Sequence, residues 1–476
     1  MKIYFLTASE KISLANEMEL AKYSDITISD NTIQCRSIRN KLFYLIQKKE
    51  NAIYFSNSIK NFRHYTELIL DDELIFFMKN VGFLFAPYTV FKNIYRIPNE
   101  SKLIINKEKQ ELNYERMLPS IKNNKLDIEK FEKTLERTLI SKSTTNNCIL
   151  HGGGADSSLL LAIAKKNQIK CNSLTCEMTG MEEQAILAKQ IADNLNIDNK
   201  LHRVNPESVK EILTKFIKNN YEPVSDPIMP VIREMLLSVN NTTIIDGQGA
   251  DSLLLAVPQA RLMSLYSPIL SILLRIPAFL LKNINIDKST KFGRKFYRIK
   301  KLIQSLSAGS IIDCLLTSWD FPFVKNSIYL SFVRKEIREL FDSKDDKFKI
   351  LIYIYLNMVL PVREMQKYED IDTNTNITLN LPFLDDDLIR LVYHTDTKYL
   401  FDGRNIKIPV YKLLSKEIPG FIKKNNTKPF FVKYFNKEQK RKQNLYRGKM
   451  YKITDLANFD FMTYNIDTLK SSLKEK

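Results

Sequence analysis

The run Cys148-Ile149-Leu150-His151-Gly152-Gly153-Gly154-Ala155-Asp156-Ser157-Ser158-Leu159-Leu160-Leu161 decides the fold. Cys148 to Leu150 read as a compact buried strand ending in glycines, and Ser157 to Lys166 (SSLLLAIAKK) as a helix with a serine start and a lysine end. A strand passing through glycines into a helix N-terminus gathers unpaired N–H groups and a partial positive charge at one point, and glycine lets the backbone itself approach a ligand. Phosphate is the natural occupant. The hydroxyls of Ser157 and Ser158 add donors, whereas Asp156 is an odd residue to aim at phosphate unless a divalent cation lies between them. A glycine turn with an Asp/Ser helix cap accounts for the same letters structurally. The strand before it and the helix after it favour the ligand loop.

Outward from this run the pattern repeats. A helical period covers 127–140; beyond the loop come Ser173 to Cys176, a helix across 182–195, the strand Leu201 to Val204, a helix from Pro206 to Lys218 and the strand Thr242 to Ile245. Four βα alternations in about a hundred residues predict an α/β fold with a doubly wound parallel sheet, whose ligands lie at the carboxyl ends of the strands. Residues 1 to about 117 read differently, as short strands such as Ile26-Thr27-Ile28, Ala52 to Phe55 and Lys102 to Ile105 between Asn-, Asp- and Ser-containing turns. The expected organisation is an α+β domain over 1–118, a linker over 119–126 and a second domain over 127–476, helical and basic beyond residue 255.

Composition narrows the class. With 476 residues, 44% apolar and 26% charged, the chain is a folded protein, neither collagen-like nor a disordered polyelectrolyte. Its 72 Lys+Arg against 54 Asp+Glu leave +18, which suits an anionic partner without choosing one. Five cysteines, none at C-x-x-C spacing, suggest neither a disulfide framework nor a zinc site, and the N-terminus lacks a signal-peptide pattern, so a cytoplasmic setting is expected. Leu262 to Leu281 is long enough for a membrane span, but Pro268, Arg275 and Pro277 interrupt it. It reads as broken buried helices; peripheral membrane contact is left open but not expected.

The glycine loop lacks the Gly-Lys-Ser/Thr of a Walker motif and is not GxGxxG. It resembles the SGGxDSS loop of the ATP pyrophosphatases, with Gly152 in place of the first serine. Ile244-Ile245-Asp246-Gly247-Gln248-Gly249-Ala250-Asp251 resembles the SGEGADE motif of the asparagine synthetase family, Leu381 to Asp385 its PFLD segment, and Tyr221 to Pro227 its acidic-proline stretch. Four such segments in this order carry the resemblance. It implies an ATP pyrophosphatase synthetase domain with a helical C-terminal part, which adenylates an oxygen and holds pyrophosphate. It also implies ATP and Mg2+ as cofactors, with the nucleotide bound by Leu150, His151, Gly152, Gly153, Gly154, Asp156, Ser157, Ser158, Gly247 and Gly249, and magnesium held by Asp156 and Asp251. Both aspartates follow strands, so a sheet switch point could bring them together, although an exposed turn also explains Asp251. Asn426-Thr427-Lys428-Pro429-Phe430 resembles the family's RxKxxF segment, with Asn426 for the arginine and the spacing one residue long; this makes Lys428 the implied catalytic lysine.

Two departures shape the functional expectation. Glutamine-dependent members begin Met-Cys, whereas this sequence begins Met1-Lys2 and its nearest cysteine is Cys35, so a degenerate glutamine-amidotransferase-like domain is expected. The amine must then come on the substrate itself. Thr378 holds the position of the family's catalytic glutamate, leaving Glu364, Glu369, Asp370, Tyr353 and Tyr355 as positional candidates for acid or base. These departures are most similar to the lasso peptide cyclase branch. The expectation is macrolactam formation on a precursor peptide with an acidic side chain, delivered with a leader-binding or protease partner and without nucleic acid. The alternatives are a β-lactam-synthetase-like or ammonia-dependent asparagine synthetase, and behind them a tRNA-modifying pyrophosphatase or a non-catalytic scaffold.

Overall fold

A computed structural model describes residues 2–6, 11–13, 26–29, 32–35, 43–47, 52–106, 111–177, 182–282, 284, 286, 291–343, 346–369, 371, 376–419 and 453–474. The first part of the chain supplies β1 (Lys2–Leu6), β2 (Lys11–Ser13), β3 (Ile26–Ser29), β4 (Thr32–Cys35), β5 (Phe43–Gln47), β6 (Ala52–Ser56), β7 (Tyr95–Arg96), β8 (Ser101–Asn106) and β9 (Glu111–Arg116). They form two sheets, ordered β2-β1-β6-β5-β7 and β3-β4-β8-β9. Strand β6 is buried at every residue, which fits its unbroken apolar run Ala-Ile-Tyr-Phe.

This part is fastened to the rest by aromatic packing and polar bonds. Phe77 meets Tyr329 edge-on at 4.9 Å, Phe85 stacks on Phe321 at 5.9 Å, and the Phe85 N–H donates to the Tyr329 hydroxyl at 2.8 Å. Beside this cluster the Arg96 guanidinium pairs with the Glu222 carboxylate, both buried. Glu222 belongs to the acidic-proline stretch, where Ser225 N–H donates to Gln366 Oε1 at 2.9 Å and Val224 N–H to Asn465 Oδ1 at 2.9 Å. The stretch is therefore a junction between the two parts of the chain.

From residue 147 the chain builds β10 (Asn147–Leu150), β11 (Cys171–Glu177), β12 (Asn199–Arg203), β13 (Thr243–Ile245) and β14 (Thr378–Asn380), all parallel in the order β12-β11-β10-β13-β14. The chain leaves the central β10 towards one edge and returns on its other side. That is the doubly wound α/β sheet expected from the sequence, and its switch point lies between β10 and β13. Both strands are buried throughout, the helices Ala155–Lys166 and Glu182–Asn194 serving as crossovers. Strand β14 was not anticipated. It is three residues long, too short to show a period, and is held by Thr378 N–H to Thr242 O at 3.1 Å and Asp246 N–H to Asn380 O at 3.1 Å.

The apolar stretch Leu262 to Leu281 corrects the sequence reading. It breaks as expected: the helix Pro258–Leu265 stops and Pro268–Lys282 starts at a bend of 95°. The second helix is not buried, however. Leu270 and Leu274 rest on a small cluster with Leu306 and Cys314, and among the described residues no further layer covers the opposite face. Among the described residues no single helix is long and apolar enough to cross a membrane.

Candidate active site

The loop after β10 is anchored from below. His151 N–H donates to Leu174 O at 2.9 Å and the Thr175 hydroxyl to His151 O at 2.7 Å, so the backbone at Leu150 and His151 is held against β11. The His151 ring is buried, with Nδ1 3.0 Å from Ser157 Oγ; burial pulls its pKa down to about 4, which keeps the imidazole neutral at pH 7. Ser158 is fully buried and donates to Gly154 O at 2.7 Å, and Ser157 reaches the same carbonyl at 3.3 Å. Both serines thus brace the first turn of the helix. Gly153 has φ +73° and a Cβ there would lie 3.2 Å from Leu187. A Cβ at Gly152 or Gly154 would meet nothing within 4 Å, so contacts within the protein place no demand for glycine at either position.

The loop after β13 lies against the first. A Cβ on Gly247 would sit 3.0 Å from Asp156 Cβ. Gly249 has φ +94°, and a Cβ there would fall 2.3 Å from Leu384 Cδ2. Three of the sequence motifs therefore meet at the switch point: the glycine loop, the Gly-Gln-Gly loop and the turn Pro382–Leu384. Gly249→Ala combines left-handed strain of roughly 1–2 kcal/mol with overpacking against Leu384, and is expected to lower stability by about 2–3 kcal/mol in chemical denaturation. Gly152→Ala is expected to leave stability within about 0.5 kcal/mol.

Asp156 and Asp251 converge on one cation. Lys407 Nζ contacts Asp156 Oδ2 and lies 2.5 Å from Asp251 Oδ1, with the lysine and Asp156 side chains only 8% and 18% exposed and Asp251 67% exposed. Burial pushes the Asp156 carboxyl up and Asp251 adds to the rise, while Lys407 opposes both. The two carboxylates hold the Lys407 ammonium charged against its own burial. Asp156 Oδ1 is buried and has no hydrogen-bond partner. Sequence reasoning missed Lys407. The signal was its place ahead of Ile408-Pro409 at the start of the helix Ile408–Glu417, where Ser, Thr, Asp or Asn is usual and a cation opposes the helix dipole.

A second polar chain runs beside it. Gln248 Nε2 donates to Glu364 Oε2, Gln248 Oε1 accepts from Lys367 Nζ at 2.6 Å, and the Tyr368 hydroxyl donates to Asp246. Burial raises the Glu364 pKa, opposed by Arg363 and Lys367 and reinforced by Asp226 and Asp251. The two tyrosine candidates are engaged elsewhere: Tyr353 donates to Glu100 O at 3.2 Å, and the Tyr355 hydroxyl lies between Gln259 and Trp319. The carbonyl of Glu369 accepts from Arg233. Thr378 begins β14, exposed and away from the carboxyl ends. Lys428 and Asp370 lie outside the described residues.

Residues 129–463 match the family model described as asparagine synthase. The chain belongs to the asparagine synthase family. No curated protein matches it. Solved structures similar to this asparagine synthase-family chain include NMN synthetase from Francisella tularensis, at 12% identity over 52% of this chain and 97% of that one, with a TM-score of 0.23. Another is a predicted subunit of tRNA methyltransferase from Methanocaldococcus jannaschii, at 22% identity, a TM-score of 0.17 and 22% of this chain; the match spans 52% of that chain, about half its length. Family membership implies an ATP-dependent ligase-type enzyme, and in open α/β sheets ligands bind at the switch point.

Proposed function

We propose that the chain closes a macrolactam, as the lasso peptide cyclases do: it adenylates an Asp or Glu side chain of a precursor peptide and joins it to the peptide's N-terminal amine. The observation that supports this best is the meeting of Asp156, Asp251 and Lys407 between the two loops at the switch point. Magnesium is usually held by one or two carboxylates together with substrate phosphates, and the unpartnered Asp156 Oδ1 with the exposed Asp251 suits that pattern. When bound, the metal would neutralise triphosphate charge. Asp156 and Asp251 are the residues that would hold it.

The peptide carboxylate attacks the α-phosphorus, forming the acyl-adenylate as the bond to pyrophosphate breaks. The loop Gly152 to Ser158 receives the pyrophosphate through backbone N–H groups at the helix N-terminus that precede Ser158, whose own N–H is taken by Gly154 O, with Leu150 and His151 beside the adenine. The amine then attacks the acyl carbon, AMP leaves, and Glu364 takes the amine's proton. Lys407 offsets negative charge at the loops, and Lys428 is proposed to do the same during amide closure. Before residue 147 the sequence holds one cysteine, Cys35, within β4, which supports an amine carried by the substrate rather than released from glutamine.

ATP–pyrophosphate exchange tests this reading. Exchange is expected with peptides bearing an acidic side chain and a free N-terminus, accompanied by a product lighter by one water. Exchange driven by free aspartate, with asparagine formed from ammonium, overturns it; so does exchange with no carboxylate at all.

A further inference from the structure

The helix Pro268–Lys282 turns the wrong face to water. Ile269, Ile272, Leu273, Ile276, Phe279 and Leu280 recur at steps of three, one, three, three and one, which places all six on one side of the helix, and each is 61–76% exposed. A surface helix normally shows polar residues there. Its neighbour, the helix Lys291–Leu306, packs against it, and Lys300 Nζ joins the two by donating to Lys282 O at 3.0 Å and Ile284 O at 2.9 Å. This second helix adds Phe292, 79% exposed, to the apolar surface and the exposed cations Lys295 and Arg298 beside it.

We infer that this helix pair docks the enzyme on an anionic lipid surface. Contiguous exposed apolar area of this kind marks a binding face, and the charge around it selects the occupant. On this helix pair Arg275, Lys282, Lys295 and Arg298 are exposed, and neither helix holds an acidic residue. A second copy packed on the same stripe would bring these like charges face to face. A nucleic acid would use the cations but leave six aliphatic and aromatic side chains in water. An anionic bilayer satisfies both, apolar side chains entering the acyl boundary and lysines and arginines meeting the headgroups. The preceding helix cannot follow, because Ala260 and Met263 are fully buried in the core, as are Leu253, Leu254 and Leu255 just before it. The attachment is therefore peripheral, with Pro268–Lys282 lying in the interface. It is independent of the reading of the active site.

Flotation of the full chain with vesicles measures it. Phosphatidylglycerol-rich vesicles are expected to carry the protein, phosphatidylcholine vesicles at least about tenfold less, and high salt to weaken the binding. The triple variant Ile272→Ser, Ile276→Ser, Phe279→Ser removes only exposed side chains and is expected to lose about tenfold or more in binding while keeping its circular dichroism and ATP–pyrophosphate exchange. Lys295→Glu with Arg298→Glu should abolish the preference for the anionic lipid. Three results overturn the inference: no flotation with either vesicle, undiminished flotation of the triple variant, or a dimer that the triple variant dissociates in a protein that ignores vesicles.

Discussion

Lys407→Met is expected to lower ATP–pyrophosphate exchange by about a thousandfold and to destabilise the fold by about 3 kcal/mol near neutral pH. Lys407 is the described cation that touches both Asp156 and Asp251. Removing one partner of a buried ion pair costs roughly 3–5 kcal/mol because the other charge stays behind; the lower end applies here, since Asp251 is 67% exposed. The variant should also differ in its pH dependence. Without the lysine, the Asp156 carboxyl rises further above its ordinary range, so the folded state binds a proton that the unfolded state releases. Stability then increases as pH falls from that raised pKa towards the unfolded value near 4. The gap between wild type and variant should narrow in denaturant titrations at about pH 5 compared with about pH 7.5. Exchange at the wild-type rate, or a gap indifferent to pH, would show that Lys407 is not the counter-charge of Asp156.

The parts of this site that were legible in the sequence are those set by local backbone chemistry. Glycines between a strand and a helix identify a loop before any contact is known, and alternation of periods identifies the doubly wound sheet, whose switch point lies between β10 and β13. What was not legible depends on distant partners. Lys407 lies 251 residues after Asp156, and nothing in its neighbours along the chain shows that two carboxylates await it. Glu222 reads as part of a family motif, yet its partner Arg96 comes from the first part of the chain. Strand β14 is defined by β13 alone. The stretch 262–281 shows the limit from the other side, because hydrophobicity reports a preference for burial and cannot say whether the chain itself supplies the cover.

Glu364→Gln is expected to separate the two halves of the reaction, leaving ATP–pyrophosphate exchange within about threefold of wild type while amide formation falls by about 100- to 1000-fold. The attacking amine must lose a proton, and the position that the family resemblance would give to a catalytic glutamate holds Thr378. Glu364 is joined to the loop after β13 through Gln248, and Gln248 is held in turn by Lys367. The donated Gln248 N–H favours the ionised carboxylate, whereas burial raises its pKa above the ordinary carboxylate value, which makes the ionised form a stronger base. Amide formation in the wild type should therefore rise with pH as Glu364 loses its proton and then level off. In the glutamine variant, which keeps the side chain's shape and cannot ionise, that rise should vanish from the residual rate. A merely structural Glu364 would lower exchange and amide formation together and leave the pH profile in place; an unimpaired amide rate would put the base on another residue.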